Sequence, residues 1–241
     1  MKEVKLSARL QALANMVSSG NIVCDIGCDH GWVSIYLIQQ GIASKVLAMD
    51  VRTGPLERAI EHIAQYELEA YIETRLSDGL QNLQVGEAEA MVCAGMGGPL
   101  MMKILTEGRE KAKAMKELIL QPQSELAMFR KFLREEGYRI VAEDMVLEDG
   151  KFYPMMKVVP TEEVLSVNEK KQDVYDAYGE LLLKQKHPVL EEFLRKGKEH
   201  IQSLQKHLQE QNTAVERMGE LQKEEMLIDT AWMEMKGGMS E

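Results

Sequence analysis

The sequence predicts an α/β domain built on a mostly parallel sheet of seven strands, followed by a helical arm. Up to Pro160, short apolar runs alternate with helical segments, a pattern typical of parallel strands covered by helices on both faces. A glycine-rich turn follows the first apolar run and leads into a helical segment. Beyond Pro160 the chain becomes rich in Glu, Lys and Gln, which favours long helices. We therefore expect one domain over residues 1–160 and a separate arm over residues 161–241.

Apolar runs bounded by turn residues give the strands, and amphipathic segments between them give the helices. The expected strands are Ile22–Ile26, Val46–Asp50, Tyr71–Leu76, Ala90–Ala94, Leu118–Leu120, Arg139–Leu147 and Phe152–Val159. The expected helices are Leu6–Ser18, Trp32–Gln40, Pro55–Tyr66, Leu100–Thr106 and Glu125–Glu136. Only Glu148-Asp149-Gly150 separates the last two strands, so we expect a hairpin and an antiparallel final strand.

In the arm, a 4-3-4-3 rhythm predicts a coiled-coil seam over four heptads. Its positions are Leu190, Leu194, Gly197, Ile201, Leu204, Leu208, Gln211, Val215 and Met218. A shorter seam of Val167, Val174, Tyr178 and Leu181 precedes His187-Pro188, which favours an antiparallel helical hairpin. Two roles stay open for this arm: gripping RNA, or packing and dimerisation.

Composition indicates a globular protein, with 45% hydrophobic and 28% charged residues in a chain of 241. No apolar stretch is long enough to cross a bilayer, and no secretory leader is evident at the N-terminus. The three cysteines form no C-x-x-C, so we expect neither zinc nor a disulfide, and a reducing cytoplasmic location.

The net charge of −10 disfavours a broad nucleic-acid-binding surface. A nucleic-acid substrate would need local basic patches, for which solvated helix faces are the simpler explanation. The candidate patches are Lys2, Lys5 and Arg9; Lys103, Arg109, Lys111, Lys113 and Lys116; and the stretch Lys184–Lys206.

The glycine-rich turn reads C-D-I-G-C-D-H-G-W over Cys24–Trp32, and it carries a carboxylate, Asp29, at its centre. Such a turn lets the backbone approach a nucleotide-like cofactor. A charge at the closest point of approach suggests that Asp29 takes part in chemistry as well as binding. The neighbouring Asp25 has two interpretations, ligand contact or support of the turn, and His30 is explained by helix-start packing or by proton transfer.

Further acids follow the next strands. Asp50 ends the second strand, at about the separation expected of a ribose-binding acid. Asp78 follows the third strand and can accept a hydrogen bond from an adenine amino group. The fourth strand runs into a second glycine-rich turn around Met96, which has two interpretations, pocket lining or core. These positions meet at the carboxyl ends of the strands, as in the S-adenosylmethionine site of a Rossmann-like methyltransferase.

Five sequence segments point to a resemblance more specific than the Rossmann-like methyltransferase fold. They are L-S-A-R-L-Q-A-L-A at Leu6–Ala14, D-I-G-C-D-H-G at Asp25–Gly31, S-D-G-L at Ser77–Leu80, A-G-M-G-G at Ala94–Gly98 and Q-P-Q at Gln121–Gln123. In this order they resemble the bacterial tRNA adenine-22 N1-methyltransferases, the TrmK family. The family more often has D-H-A-Y-L-P where this chain has D-H-G-W-V-S, and Q-P-N where it has Q-P-Q.

The resemblance implies a class I methyltransferase that uses S-adenosyl-L-methionine to methylate N1 of adenine 22 in the D-loop region of tRNA. The cofactor-binding residues are then expected to be Asp25, Gly27, Asp29, His30, Gly31, Asp50, Val51, Asp78, Gly79, Ala94 and Gly95. The substrate-binding residues are expected to be Arg9, Met96, Gly97, Gly98, Gln121 and Pro122. The implied protein has tRNA as its partner, no metal and no membrane association, and is a monomer or weak dimer.

Asp29 is the expected catalytic residue. Adenine N1 already has an in-plane lone pair, so its methylation needs positioning and charge placement rather than prior deprotonation. The methylated ring is cationic, and a carboxylate can stabilise that charge or accept a proton from the amino group. Two alternatives remain from the residues alone: a methyltransferase of proteins or small molecules, and a non-catalytic cofactor-binding module.

Overall fold

The computed structural model describes residues 3–163, 167–168, 170–211 and 215–237, omitting the side chains of 209–211 and 215. The chain divides into two compact units, Met1–Leu165 and Ser166–Glu241. The first unit contains a single sheet of seven strands in the order β3-β2-β1-β4-β5-β7-β6. These strands are β1 (Ile22–Ile26), β2 (Lys45–Asp50), β3 (Ile72–Leu76), β4 (Ala90–Met96), β5 (Glu117–Pro122), β6 (Tyr138–Glu148) and β7 (Lys151–Pro160).

Within the described residues of this unit, one helix precedes the first strand and five lie between strands. They are α1 (Ala8–Asn15), α2 (Trp32–Gln39), α3 (Thr53–Gln65), α4 (Gly98–Glu107), α5 (Arg109–Lys113) and α6 (Leu126–Glu135). Five of them match expected helices, with ends that differ by a few residues. The short helix α5 was not predicted, because its five residues are too few to show a hydrophobic period.

The sheet is mostly parallel, as the alternation of strands and helices predicted. The pairs β1–β2, β1–β4, β2–β3 and β4–β5 are parallel. The strand β7 runs antiparallel to both of its neighbours, β5 and β6, which confirms the hairpin and the antiparallel final strand.

Central strands are buried on both faces. Along β2, Val46 and Ala48 belong to one hydrophobic cluster, whereas Leu47 and Met49 belong to a second. Successive side chains of a strand point to opposite faces, so the two clusters are the two layers between sheet and helices. Because the strands are buried along both faces, polar groups are accommodated at their carboxyl ends, where the chain exits the sheet.

The second unit consists of α7 (Gln172–Tyr178), α8 (Glu180–Lys184), α9 (Pro188–Gln211) and α10 (Val215–Lys236). Side-chain pairs join Lys198 to Asp229 and Gln202 to Glu225, so α9 and α10 run antiparallel. A helical hairpin is therefore present, but its partners differ from those expected.

The predicted seam does not continue along one helix to Met218, which lies on α10 rather than on α9. The side chains of Gln211 and Val215, two positions of that seam, lie outside the described residues. Among its other positions, Leu190, Leu194 and Ile201 are buried, and Gly197 faces Ile228 of α10. The seam prediction failed because the apolar rhythm continues from Leu208 to Met218, with neither Gly nor Pro between them to indicate the end of α9.

Within the part of the chain that the structure describes, no helix combines the length and the apolar character that crossing a membrane requires.

Candidate active site

The loops that follow β1, β2, β3 and β4 surround a cavity of about 530 Å³. Most of the residues singled out from the sequence line it together. They are Arg9, Asp25, Gly27, Asp29, His30, Asp50, Val51, Asp78, Gly79, Ala94, Gly95 and Met96. Five others do not line the cavity, but each lies within two positions of a lining residue in the sequence: Gly31, Gly97, Gly98, Gln121 and Pro122.

Asp25 lies at the floor of the cavity and is buried. The Ser34 hydroxyl on α2 donates a hydrogen bond to Asp25 Oδ2 at 2.7 Å. Burial raises the pKa of Asp25 to about 6, and the charge of Asp50 acts in the same direction, while the bond from Ser34 opposes the rise. Asp25 is therefore bonded to α2 and lines the cavity, and its contact with a ligand stays a prediction.

Asp50, also buried, holds two loops together. Its Oδ2 accepts a hydrogen bond from the Asp29 backbone N–H at 3.3 Å, and its Oδ1 accepts one from the Arg52 backbone N–H at 2.9 Å. The next residue, Val51, leaves 58% of its surface exposed and lines the cavity. A buried acid followed by an exposed apolar side chain suits a nucleoside, whose ribose donates hydrogen bonds and whose base has a flat face that packs on apolar groups.

Asp29 stands at the mouth of the cavity, in a left-handed backbone conformation with φ of 46°. Its carboxylate is 55% exposed and lies 3.6 Å from His30 Nε2 and 3.5 Å from Arg58 Nη2. The charge expected from the sequence is thus present at the cavity, flanked by one cation from α3 and one titratable ring. Solvent screening weakens both exposed pairs.

The loop after β3 carries Asp78 and Gly79. Ser77 braces this loop, because its hydroxyl donates to the Gly79 carbonyl at 2.9 Å and accepts from the Asn82 N–H at 3.1 Å. From α5, Lys111 Nζ donates to the carbonyls of Leu80 and Gln81. The exposed carboxylate of Asp78 is therefore presented on a loop fixed from two sides.

Arg9 connects the cavity to β5. Its Nη1 donates to Gln121 Oε1 at 2.8 Å, and its guanidinium lies 5.0 Å from the centre of the Tyr153 ring. Gln121 is fully buried and is linked to the cavity by this bond to Arg9. Within the Q-P-Q segment, Gln123 lines the cavity directly.

The glycines outside the cavity allow close packing. Gly31 has φ of 73° and precedes α2, and a Cβ there would lie 3.2 Å from Ala59 Cβ on α3. At Gly98, a Cβ would lie 2.5 Å from the Ser124 carbonyl oxygen. Side chains at these positions would push the two glycine-rich turns away from their neighbours.

Sequence reasoning missed a ring cluster beside the mouth of the cavity. The Trp32 indole stacks on His62 with centroids 4.0 Å apart, and it meets Tyr66 edge-on at 6.4 Å. His62 Nδ1–H donates a hydrogen bond to the His30 carbonyl oxygen at 2.9 Å. The spacing of Arg58, His62 and Tyr66, four residues apart, is the signal that could have placed them on one helix face.

The basic residues after the fourth strand were a candidate patch, but they engage local partners. Lys103, Arg109 and Lys116 pair with acids, and Lys111 and Lys113 bind backbone carbonyls. In the second unit, Lys184, Arg195, Lys196 and Lys198 pair with Glu or Asp. Lys2, from the first patch, lies outside the described residues.

The chemistry open to the cavity is limited. Cys28 lines it, but burial raises the pKa of this thiol, so it is not a ready nucleophile. Across residues 3–163, 167–168, 170–211 and 215–237, no cluster of His, Cys, Asp or Glu is arranged to hold a metal ion. The remaining groups can bind, orient and stabilise charge.

Three comparisons with known proteins agree with this geometry. A family model described as a methyltransferase domain matches residues 6–156. The chain is 31% identical to the tRNA (adenine(22)-N(1))-methyltransferase of Bacillus subtilis over 229 residues, 95% of each protein.

Among solved structures, the Bacillus subtilis M1A22 tRNA methyltransferase TrmK is 29% identical, with a TM-score of 0.81 over 95% of this chain and 99% of that one. Streptococcus pneumoniae Sp1610, in complex with S-adenosyl-L-methionine, is 30% identical, with a TM-score of 0.78 over 94% of this chain and 99% of that one.

Proposed function

The chain belongs to the tRNA (adenine(22)-N(1))-methyltransferase family, and on that basis we propose that it transfers a methyl group from S-adenosyl-L-methionine to N1 of adenine 22 in tRNA. The proposed place of action is the cytoplasm, where tRNA is found. The observation that carries the proposal is the cavity at the carboxyl ends of the strands, where Asp50, Val51 and Asp78 converge.

The cavity residues fit the cofactor. Buried Asp50 is placed to accept hydrogen bonds from ribose hydroxyls, and Asp78 to accept one from the adenine amino group. Val51 offers an apolar surface on one side, and Leu100, 45% exposed, offers another from α4. Asp25 brings a further carboxylate to the floor, which suits a ligand that carries positive charge.

When bound, S-adenosyl-L-methionine supplies a methyl group on a positively charged sulfur: the N1 lone pair of adenine attacks the methyl carbon in line, the carbon–sulfur bond breaks, and S-adenosyl-L-homocysteine leaves as a neutral thioether. The chain contributes position and charge. Asp29, at the mouth of the cavity, stabilises the positive charge that the purine ring gains. Arg58 and His30 hold its carboxylate in place from both sides.

The target base enters from the side of Arg9 and Met96. Arg9 lies within hydrogen-bond reach of Gln121 and beside Gly95, so its guanidinium is fixed at the cavity wall. N1 is on the Watson–Crick edge of adenine, and a paired or stacked adenine must leave its stack to reach the methyl donor. Trp32, which stacks on His62, also lines the cavity.

The test is nucleoside mass spectrometry of an unmodified tRNA transcript incubated with the protein and S-adenosyl-L-methionine. We expect 1-methyladenosine, and we expect none in the matched transcript that carries guanosine at position 22. Methylation at another nucleoside, or of protein instead of tRNA, would contradict the assignment.

A further inference from the structure

A second groove adjoins the cofactor cavity. Its volume is about 560 Å³, and the segment before α1, α1 itself and the end of α3 surround it. Its apolar walls are Val4, Leu6, Leu10, Trp32 and Tyr66. Leu10 and Trp32 also line the cofactor cavity, so these two side chains form the wall between the two spaces. We refer to this space as the Trp32 groove.

The dividing wall is held firmly. His62 covers one face of the Trp32 indole at a ring separation of 4.0 Å, and Tyr66 meets it nearly perpendicularly. His62 is itself tied to the loop by its hydrogen bond to the His30 carbonyl. Because His62 and Tyr66 come from the same helix, the indole does not need to be ordered when a ligand arrives.

The Trp32 groove suits a flat, uncharged ligand. Its two charged residues, Glu3 and Lys5, are exposed and carry opposite signs, so the groove has no net charge to attract a phosphate. The rest of its lining is mainly aliphatic or aromatic. Nucleobases stack on such surfaces regardless of their sequence.

We propose that the Trp32 groove holds the base of a nucleotide next to the target adenine. The inference deepens the proposed function and rests on it. When an adenine leaves its stack, the neighbouring base loses a stacking partner. A preformed aromatic wall shared with the cofactor cavity supplies a replacement within one nucleotide of the reaction.

The test combines an enzyme variant with an altered RNA. Leu6 lines the Trp32 groove but not the cofactor cavity, so Leu6→Ala changes the groove without changing the lining of the cavity. Ile42→Ala is the matched control, because Ile42 packs at half-buried depth against the same hydrophobic cluster but lines neither space. The substrates are a tRNA transcript and the same transcript with an abasic site on either side of the target adenine.

We expect Leu6→Ala to lower kcat/KM for tRNA by about 5- to 20-fold, the lower part of the range for one lost base stack. The affinity of Leu6→Ala for S-adenosyl-L-methionine should stay within about twofold of the wild-type value. The kcat/KM of Ile42→Ala should also stay within about twofold of wild type, a change too small to matter energetically. One of the abasic transcripts should lower the wild-type kcat/KM comparably, and on it Leu6→Ala should cause no additional loss.

Several outcomes would overturn the inference. They are full activity of the wild-type protein on both abasic transcripts, equal losses for Leu6→Ala on intact and abasic RNA, a loss of cofactor affinity, or a change in oligomeric state. The reaction of the wild-type protein with intact tRNA separates this inference from the proposed function. If that reaction yields no 1-methyladenosine, the proposed function itself is rejected.

Discussion

Gly27 lies directly against the terminal methyl of Met96, and a Cβ at position 27 would overlap Met96 Cε. The two glycine-rich turns therefore meet at the cavity floor, and each limits the side chains that the other can carry. Gly27 also has φ of 74°, which an L-residue adopts at a cost.

Gly27→Ala should weaken S-adenosyl-L-methionine binding at least tenfold, because Met96 must move into the cavity to make room. Gly86→Ala is the matched control, since Gly86 has φ of 78° with nothing within 4 Å of a new Cβ. Both variants carry similar backbone strain, of order 1–2 kcal/mol, measured as a loss of thermal stability. Calorimetry that finds the same cofactor affinity for both variants would contradict the clash.

Asp50→Ala should weaken cofactor binding by ~1–3 kcal/mol, the cost of a lost charged hydrogen-bond partner. Two effects contribute, because Asp50 also accepts the N–H groups of Asp29 and Arg52. Asp50→Asn separates them: its amide oxygen can keep one backbone bond while the charge is gone. Unchanged affinity in Asp50→Ala by calorimetry would remove Asp50 from the cofactor site.

Asp29→Asn should keep cofactor affinity and slow single-turnover methyl transfer by ~10²–10⁴-fold if the carboxylate stabilises charge in the transition state. The comparison variant is Arg58→Gln, which removes a partner of Asp29 but leaves its charge. We expect Arg58→Gln to alter the rate much less. A near-wild-type rate for Asp29→Asn at saturating cofactor and tRNA would reduce Asp29 to a loop-shaping residue.

Asp25 predicts a pH dependence of stability. Its pKa of about 6 in the folded chain exceeds the ordinary value near 3.8, so the folded state holds an extra proton between these pH values. The associated stabilisation is complete below pH ~4 and is lost as the pH rises through ~6. Relative to Asp25→Asn, the wild type should therefore lose ~3 kcal/mol between those limits.

Chemical denaturation of both proteins from pH 4 to 7.5 measures this difference. Ser34→Ala tests the cause, because the hydroxyl bond lowers the pKa of Asp25. Its loss should move the midpoint to higher pH. A difference between wild type and Asp25→Asn that does not vary with pH would show that Asp25 titrates normally.

A chain ending at Glu163 should fold and keep cofactor affinity, because the sheet is complete at Pro160 and the cavity is lined entirely from the first unit. If the second unit holds tRNA, the shortened chain should lose tRNA affinity in gel shifts. Circular dichroism and thermal unfolding provide the folding control. Undiminished tRNA binding would leave the helical hairpin with a packing or dimer role.

The strand ends were predictable because their signals are local. Asp50 and Asp78 each follow a strand within a few residues, so strand order alone brings them to one edge. Gln121 shows the limit of this reasoning: its motif is visible in the sequence, but only the folded packing shows that its amide is fully buried and accepts a hydrogen bond from Arg9.

The ring cluster could not be read from the motif. Trp32 follows the glycine-rich turn, whereas His62 and Tyr66 lie about 30 residues farther along and join it only when α3 packs on the loop. The end of α9 was missed for another reason: the heptad rhythm continued from Leu208 to Met218, and no Gly or Pro interrupted it. In both cases the deciding contacts are tertiary.

The position of β7 has a consequence for synthesis. The strand β5 is buried along its whole length, yet its neighbour on one side is β7, which ends 38 residues later in the chain. Until β7 has left the ribosome, a growing chain presents β5 as an apolar edge with free backbone groups, a template for pairing with other chains. Protection of the nascent protein from aggregation thus depends on prompt closure of the β6–β7 hairpin onto that edge.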